Sequence, residues 1–185
     1  VVDQMIKSGI KIIQYREKNK KARSMYNECL QIREMTKTAG VTFIVNDHVD
    51  LALAVGADGV HIGQDDLPAA EVRKLIGNRI IGLSTHTPEE AKAAAESGIV
   101  DYIGVGPIFA TNTKVDVCAP VGLDYLAWVA QNIDLPFVAI GGIKEHNISA
   151  VVQQGAKIIA LVSEIVGAPD IPARVAALRS RISRS

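Results

Sequence analysis

Apolar residues along this chain gather in short, β-branched runs, each closed by polar residues or glycine and followed by a stretch with helical spacing. That alternation is the mark of repeated βα units and a parallel sheet. Seven runs stand out, at 10–15, 42–45, 59–62, 79–83, 102–105, 136–140 and 157–162. Several are apolar without a polar alternate, such as Ile158-Ile159-Ala160-Leu161-Val162, as strands buried on both faces are. Between them, Thr87-Pro88-Glu89-Glu90 predicts a capped helix start with proline in its first turn, and Gly98 predicts its left-handed end. A helix is expected over 1–7 and after every run, the last over 172–182, eight in all.

Seven strands and eight helices, beginning on a helix, make an α/β fold of the (β/α)8 TIM barrel type without its first strand, because closure takes eight parallel strands. The competing open, doubly wound sheet would carry a glycine-rich phosphate turn after its first strand, and none stands near Gln14.

With 185 residues, 48% of them hydrophobic, one core can bury about 70% of the unfolded surface, so a single domain over 1–185 is expected. Twenty Lys and Arg balance twenty Asp and Glu, which gives no field to collect nucleic acid or an anionic membrane. Any anionic ligand must then be held locally. Cys29 and Cys118 are far apart and in no metal-ligand spacing, which suits a reducing cytoplasm. No apolar run approaches the roughly 20 residues of a membrane span. The chain opens on Val1 inside an amphipathic pattern, which reads as a start downstream of the native one.

In a barrel the chemistry stands at the carboxyl ends of the strands. After the first run, Gln14-Tyr15-Arg16-Glu17-Lys18 has a period of two that sets Gln14, Arg16 and Lys18 on one face. Asn46-Asp47 and Gly63-Gln64-Asp65-Asp66 close the next two runs. Two carboxylates beside cations suit Mg²⁺ carrying a phosphate. Helix capping, by Asp47 over 48–55 and by Asp65 or Asp66 over 68–76, is the bland alternative.

Ser84-Thr85-His86 reads as a capping segment rather than a nucleophile, with no base and acid to complete a triad. The long stretch from Gly106 to Asp116, rich in donors, reads as a loop that binds an anion or closes over it. Gly141-Gly142 and Val162-Ser163 follow the last two runs, where barrels hold phosphate on bare N–H groups. Glycines there would let an anion approach the main chain. His61 reads as a satisfied core residue, and His48 and His146 as surface helix starts. Two phosphate subsites, one with metal, and no evident base or nucleophile make a group-transfer profile.

Q-Y-R-E-K at 14–18, N-D at 46–47, A-D-G-V-H-I-G-Q-D-D at 57–66, G-L-S-T-H at 82–86, G-P-I-F-A-T-N-T-K-V-D at 106–116 and A-I-G-G-I at 139–143 occur in one order along the chain. Together they resemble the thiamin phosphate synthase family. The resemblance implies a transferase that joins an aminopyrimidine diphosphate to a thiazole phosphate and releases pyrophosphate, with Mg²⁺ as cofactor. It implies that Gln14, Tyr15, Arg16, Glu17, Lys18, Asn46, Ser84 and Lys114 bind the pyrimidine diphosphate. Arg16, Lys18, Ser84 and Lys114 would act on the reacting groups. Asp47 and Asp66 would hold the metal, leaving Asp65 to solvent or a cap. Thr111, Thr113, Gly142, Val162 and Ser163 would bind the thiazole phosphate, with Asn112 in the same binding loop.

Phosphorylated small molecules are the implied partners, neither nucleic acid nor membrane, and homo-oligomer formation stays open. The family begins with a strand ahead of the first helix, so an incomplete start is the expected reading. A thiazole tautomerase-like relative and a non-catalytic phosphate-binding barrel are the alternatives.

Overall fold

The computed structural model describes residues 1–111 and 118–183, and the chain divides into two compact units, Val1–Leu83 and Ser84–Ser185. In the first, α1 (Val2–Lys7) precedes β1 (Ile12–Tyr15), α2 (Ala22–Ala39), β2 (Thr42–Asn46), α3 (Val49–Val55), β3 (Gly59–Ile62), α4 (Ala69–Ile76) and the start of β4 (Ile80–Thr85). Successive strands pair in parallel, with Ile13 opposite Phe43, Val45 opposite Val60 and Val60 opposite Ile81. Phe43, Ile44, Val45, Val60, Ile62 and Ile81 are fully buried, which is why these runs lack polar alternates. Gly59 is glycine because a Cβ there would lie 2.3 Å from the carbonyl oxygen of Ile80 on the adjacent strand.

One polar clasp fixes this unit at the opposite ends of its strands from Asn46 and Ile62. Asp58 receives both guanidinium nitrogens of Arg33 at 2.8 and 2.9 Å and the backbone N–H of Phe43 at 2.8 Å. It thereby ties α2 to the start of β2 and to the turn before β3.

The second unit holds the end of β4, then α5 (Pro88–Ser97), β5 (Tyr102–Val105), α6 (Gly122–Asn132), β6 (Phe137–Ile140), α7 (Ile148–Gln153), β7 (Ile159–Ala160), α8 (Ser163–Val166) and α9 (Ile171–Ile182). Its core is built on Ile103, Val105, Ile108, Leu126, Val129, Ile148 and Ile171. The predicted cap is present: Thr87 Oγ1 accepts the N–H of Glu90 at 3.3 Å, Pro88 opens α5, and Gly98 ends it at φ 62°. Thr85 is fully buried, and its hydroxyl donates to the Gly104 carbonyl at 3.1 Å and accepts from Tyr125 Oη at 2.9 Å.

Strands run in the order β1-β2-β3-β4-β5-β6-β7, each beside its neighbour in sequence. All seven expected strands are present among the described residues, β7 cut to two residues and β4 extended to Thr85. The helix count differs from the expected eight: nine helices occur among the described residues, because α8 forms before α9. Gly167 ends α8, Pro169 cannot continue it, and Asp170 Oδ1 caps α9 by accepting the N–H of Ala173 at 2.9 Å.

Candidate active site

The end of β1 sorts its side chains by strand alternation. Gln14, Arg16 and Lys18 are exposed, while Tyr15 and Glu17 are half-buried. Tyr15 Oη donates to Glu28 of α2 at 2.7 Å, and Glu28 also receives Lys20 Nζ at 2.6 Å. Glu17 accepts the backbone N–H groups of Lys18 and Asn19, each at 2.8 Å. Those partners explain two displaced acids. The Asn19 N–H holds the Glu17 carboxyl below its usual range, and the Lys20 ammonium, helped by Tyr15, does the same for Glu28. Burial, reinforced by Glu28, pushes the Tyr15 hydroxyl pKa up. The side chains of Tyr15 and Glu17 thus brace the strand end, and the face with the amide and two cations stays open.

Asn46 is buried at 7% exposure, and Asp47 follows with φ 61°, alone among described non-glycine residues in taking a positive φ. Such a conformation is uncommon outside glycine and collects at functional sites. Its N–H still bonds the His61 carbonyl of β3 at 2.8 Å, so the chain turns sharply at the last paired residue. The capping alternative is not realised: His48 is the N-cap of α3 and no side chain caps that helix. The Asp47 carboxylate instead meets Lys18 Nζ.

Asp66 does not cap α4, whose N-cap is Pro68. Its Oδ2 accepts the N–H of Gly63 at 2.7 Å, which folds a half-buried carboxylate back on the end of β3, while Asp65 points to solvent. The two acids therefore stand at the ends of adjacent paired strands. Among the described residues no three His, Cys, Asp or Glu side chains gather as a self-sufficient metal cage. Mg²⁺ does not require one, since it commonly takes one or two carboxylates and fills its shell with water and substrate phosphate. The donor set fits that ion.

In the second unit Ser84 is half-buried at the end of β4, beside Thr85, and the His86 ring lies 3.1 Å from Glu90. Thr111 is half-buried; Asn112, Thr113 and Lys114 lie outside the described residues. Beyond β6, Gly141 and Gly142 have φ of 97° and 64°. The glycines here have a packing reason of their own. A Cβ on Gly141 would come within 2.4 Å of Pro107, and one on Gly142 within 2.6 and 2.7 Å of the Ala110 and Phe109 carbonyl oxygens. The stretch after β5 fills that side, so loop packing requires glycine at both positions.

Two residues escaped the sequence reading. Asn147 closes the turn after β6, donating to the Gly142 carbonyl at 3.1 Å and accepting the N–H of Lys144 at 2.7 Å. Glu164, next to Ser163 at the start of α8, binds Lys144 Nζ at 3.3 Å. Position beside Val162 and Ser163, both exposed after β7, was the one available signal for Glu164.

A family model described as thiamine monophosphate synthase matches residues 1–165. A thiamine-phosphate synthase of Pelotomaculum thermopropionicum is 71% identical over 185 residues, covering all of this chain and 84% of that protein. One of Lawsonia intracellularis is 59% identical over 183 residues, 98% of this chain and 84% of that protein. Among solved structures, a thiamine phosphate pyrophosphorylase from Pyrococcus furiosus superposes with a TM-score of 0.89 at 36% identity, over 99% of this chain and 88% of that one. The fold class is accordingly the barrel-type α/β fold, with seven parallel strands among the described residues, and neither the tautomerase-like nor the non-catalytic alternative gains support. This chain belongs to the thiamine monophosphate synthase family.

Proposed function

We propose that the residues at these strand ends carry out a Mg²⁺-assisted transfer of a pyrimidinylmethyl group. The activity is that of a thiamine-phosphate synthase, a transferase of thiamine biosynthesis: an aminopyrimidine diphosphate and a thiazole phosphate give thiamin phosphate and pyrophosphate. The chain acts as a single domain over residues 1–185, in the cytoplasm.

Asp47 and Asp66 would hold Mg²⁺, which when bound neutralises charge on the diphosphate. Gln14, Arg16 and Lys18 receive the same group from the open face of β1, with Asn46, Ser84 and Lys114 completing its contacts. Arg16, Lys18 and Lys114 offset the charge that develops as diphosphate departs. The carbon–oxygen bond to diphosphate breaks with both electrons leaving on oxygen, and the electron-rich aminopyrimidine stabilises the methylene cation left behind. The thiazole nitrogen then supplies its lone pair to that carbon. No base is required for that step. Thr111, Asn112, Thr113, Gly142, Val162 and Ser163 anchor the thiazole phosphate, and that anchoring aims the nitrogen at the cation.

The observation that carries this reading is Asp47, which spends its side chain on a cation rather than a helix cap from a left-handed backbone. The test is product formation: the purified chain, both substrates and Mg²⁺ should yield thiamin phosphate and pyrophosphate in equal amounts. Omission of either substrate, or chelation of the metal, should stop both. Pyrophosphate released without the thiazole phosphate at an undiminished rate would mean a hydrolase and refute the reading.

A further inference from the structure

We propose that Glu164 is a positioning residue that sets the spacing of the two turns receiving the thiazole phosphate; the inference rests on the function given above. β6 and β7 pair in parallel with Ala139 opposite Ile159 and Ile140 opposite Ala160. Gly142 and Val162 each lie two residues beyond the last of these pairs, so the turns leave the sheet level with one another. The turn after β6 is closed internally by Asn147. Its bond to the turn after β7 is Glu164.

The carboxylate is 16% exposed and meets three donors from two elements. Oε1 accepts Lys144 Nζ at 3.3 Å, and Oε2 accepts the backbone N–H of Glu145 at 3.4 Å. Arg174 of α9 comes within 3.6 Å of Oε2 and donates to Glu145 at 2.7 Å. Arg181 adds a second contact to Glu145 at 3.5 Å. Three cations against two carboxylates leave this cluster positive on balance, so a carboxylate next to Ser163 does not repel a phosphate there.

Both oxygens of Glu164 are used as acceptors. An amide would turn an N–H group toward donors, so glutamine is an imperfect substitute and alanine removes the strut. A phosphate held by N–H groups of two turns needs both in place together, and a shift of either weakens the hold. The pyrimidine diphosphate, bound by other residues, is spared.

The experiment measures both KM values, kcat and the melting temperature for wild type, Glu164→Ala and Glu164→Gln. Glu164→Ala should raise the KM for thiazole phosphate about tenfold, with the KM for pyrimidine diphosphate within about twofold and Glu164→Gln in between. Arg33→Ala in the first unit supplies the contrast, lowering the melting temperature with both KM values unchanged. Equal rises in both KM values, or an unchanged thiazole phosphate KM, would overturn the proposal. Where Glu164→Ala does not fold, Glu164→Gln carries the same comparison. Should the wild type form no thiamin phosphate, the functional reading fails, and calorimetry with inorganic phosphate decides this one separately. Binding weakened by the substitution supports the strut; equal binding, or none by the wild type, removes it.

Discussion

Lys18 Nζ is paired with Oδ2 of Asp47, joining the end of β1 to the end of β2 across 29 positions of sequence. The lysine side chain is 51% exposed and the aspartate 15%. A pair that open to water is worth about 0–1 kcal/mol, so it parts at little cost. Lysine and Mg²⁺ would compete for the same oxygen, and diphosphate would draw the freed ammonium to itself. Lys18→Ala is expected to lower kcat roughly 100-fold through loss of a charge-stabilising donor. Mg²⁺ binding measured without substrate should not weaken; weaker binding would show that the two cations do not compete.

Lys114 supplies the remaining positive charge in the proposed reaction. Its replacement by alanine should depress kcat far more than the affinity for thiazole phosphate, in steady-state kinetics with each substrate varied. Equal losses would place Lys114 at the thiazole phosphate instead.

The Arg33–Asp58 clasp is bidentate, part-buried and shared with the Phe43 N–H. Arg33→Ala leaves Asp58 without its main partner and should cost about 2 kcal/mol. For a chain of this length that is roughly 4–8 °C in melting temperature, readable by circular dichroism. Turnover at low temperature should be unchanged, since the clasp lies at the turn before β3, away from the residues assigned to the substrates.

Thr85 and Tyr125 form a buried hydroxyl pair. Thr85→Val strands the Tyr125 hydroxyl without an acceptor and should cost about 1–3 kcal/mol. Adding Tyr125→Phe removes the stranded group, so the double variant should lose less than the sum of the singles in urea denaturation.

Burial raises the Cys29 thiol from 9.0 to about 12, and the Tyr125 hydroxyl from 10.0 to about 12. Both groups hold their protons longer in the folded state than in the unfolded one. Their contribution is complete below pH 9, shrinks as the unfolded chain ionises, and is lost by about pH 12. The urea midpoint should fall across that window, and less steeply in Cys29→Ala.

Much of this architecture was legible in the pattern of residues. β3 and β5 have the bounds their apolar runs predict, because polar or small residues flank both. β7 does not: six apolar and adjoining residues suggest a longer strand, yet Ile158 is 40% and Val162 47% exposed. Apolar character signals a preference for burial, and ladder length depends on what lies alongside. The open face of Gln14, Arg16 and Lys18 was readable because a strand fixes its alternation locally. The packing role of Gly141 and Gly142 was not, since Pro107, Phe109 and Ala110, which face them, lie more than thirty positions earlier. Nor does an Asn-Asp dipeptide announce that its aspartate will take a left-handed turn and leave the helix cap to His48.

In the proposed reaction Asp47 and Asp66 act together on one metal-bound diphosphate. The rate of pyrophosphate release as a function of Mg²⁺, in wild type, Asp47→Ala, Asp66→Ala and the double variant, tests it most directly. Each single change should abolish the Mg²⁺-dependent rate by at least about 100-fold, and the double variant should be little worse than either, as for residues acting as a unit. Full Mg²⁺-dependent turnover in either single variant would contradict the account.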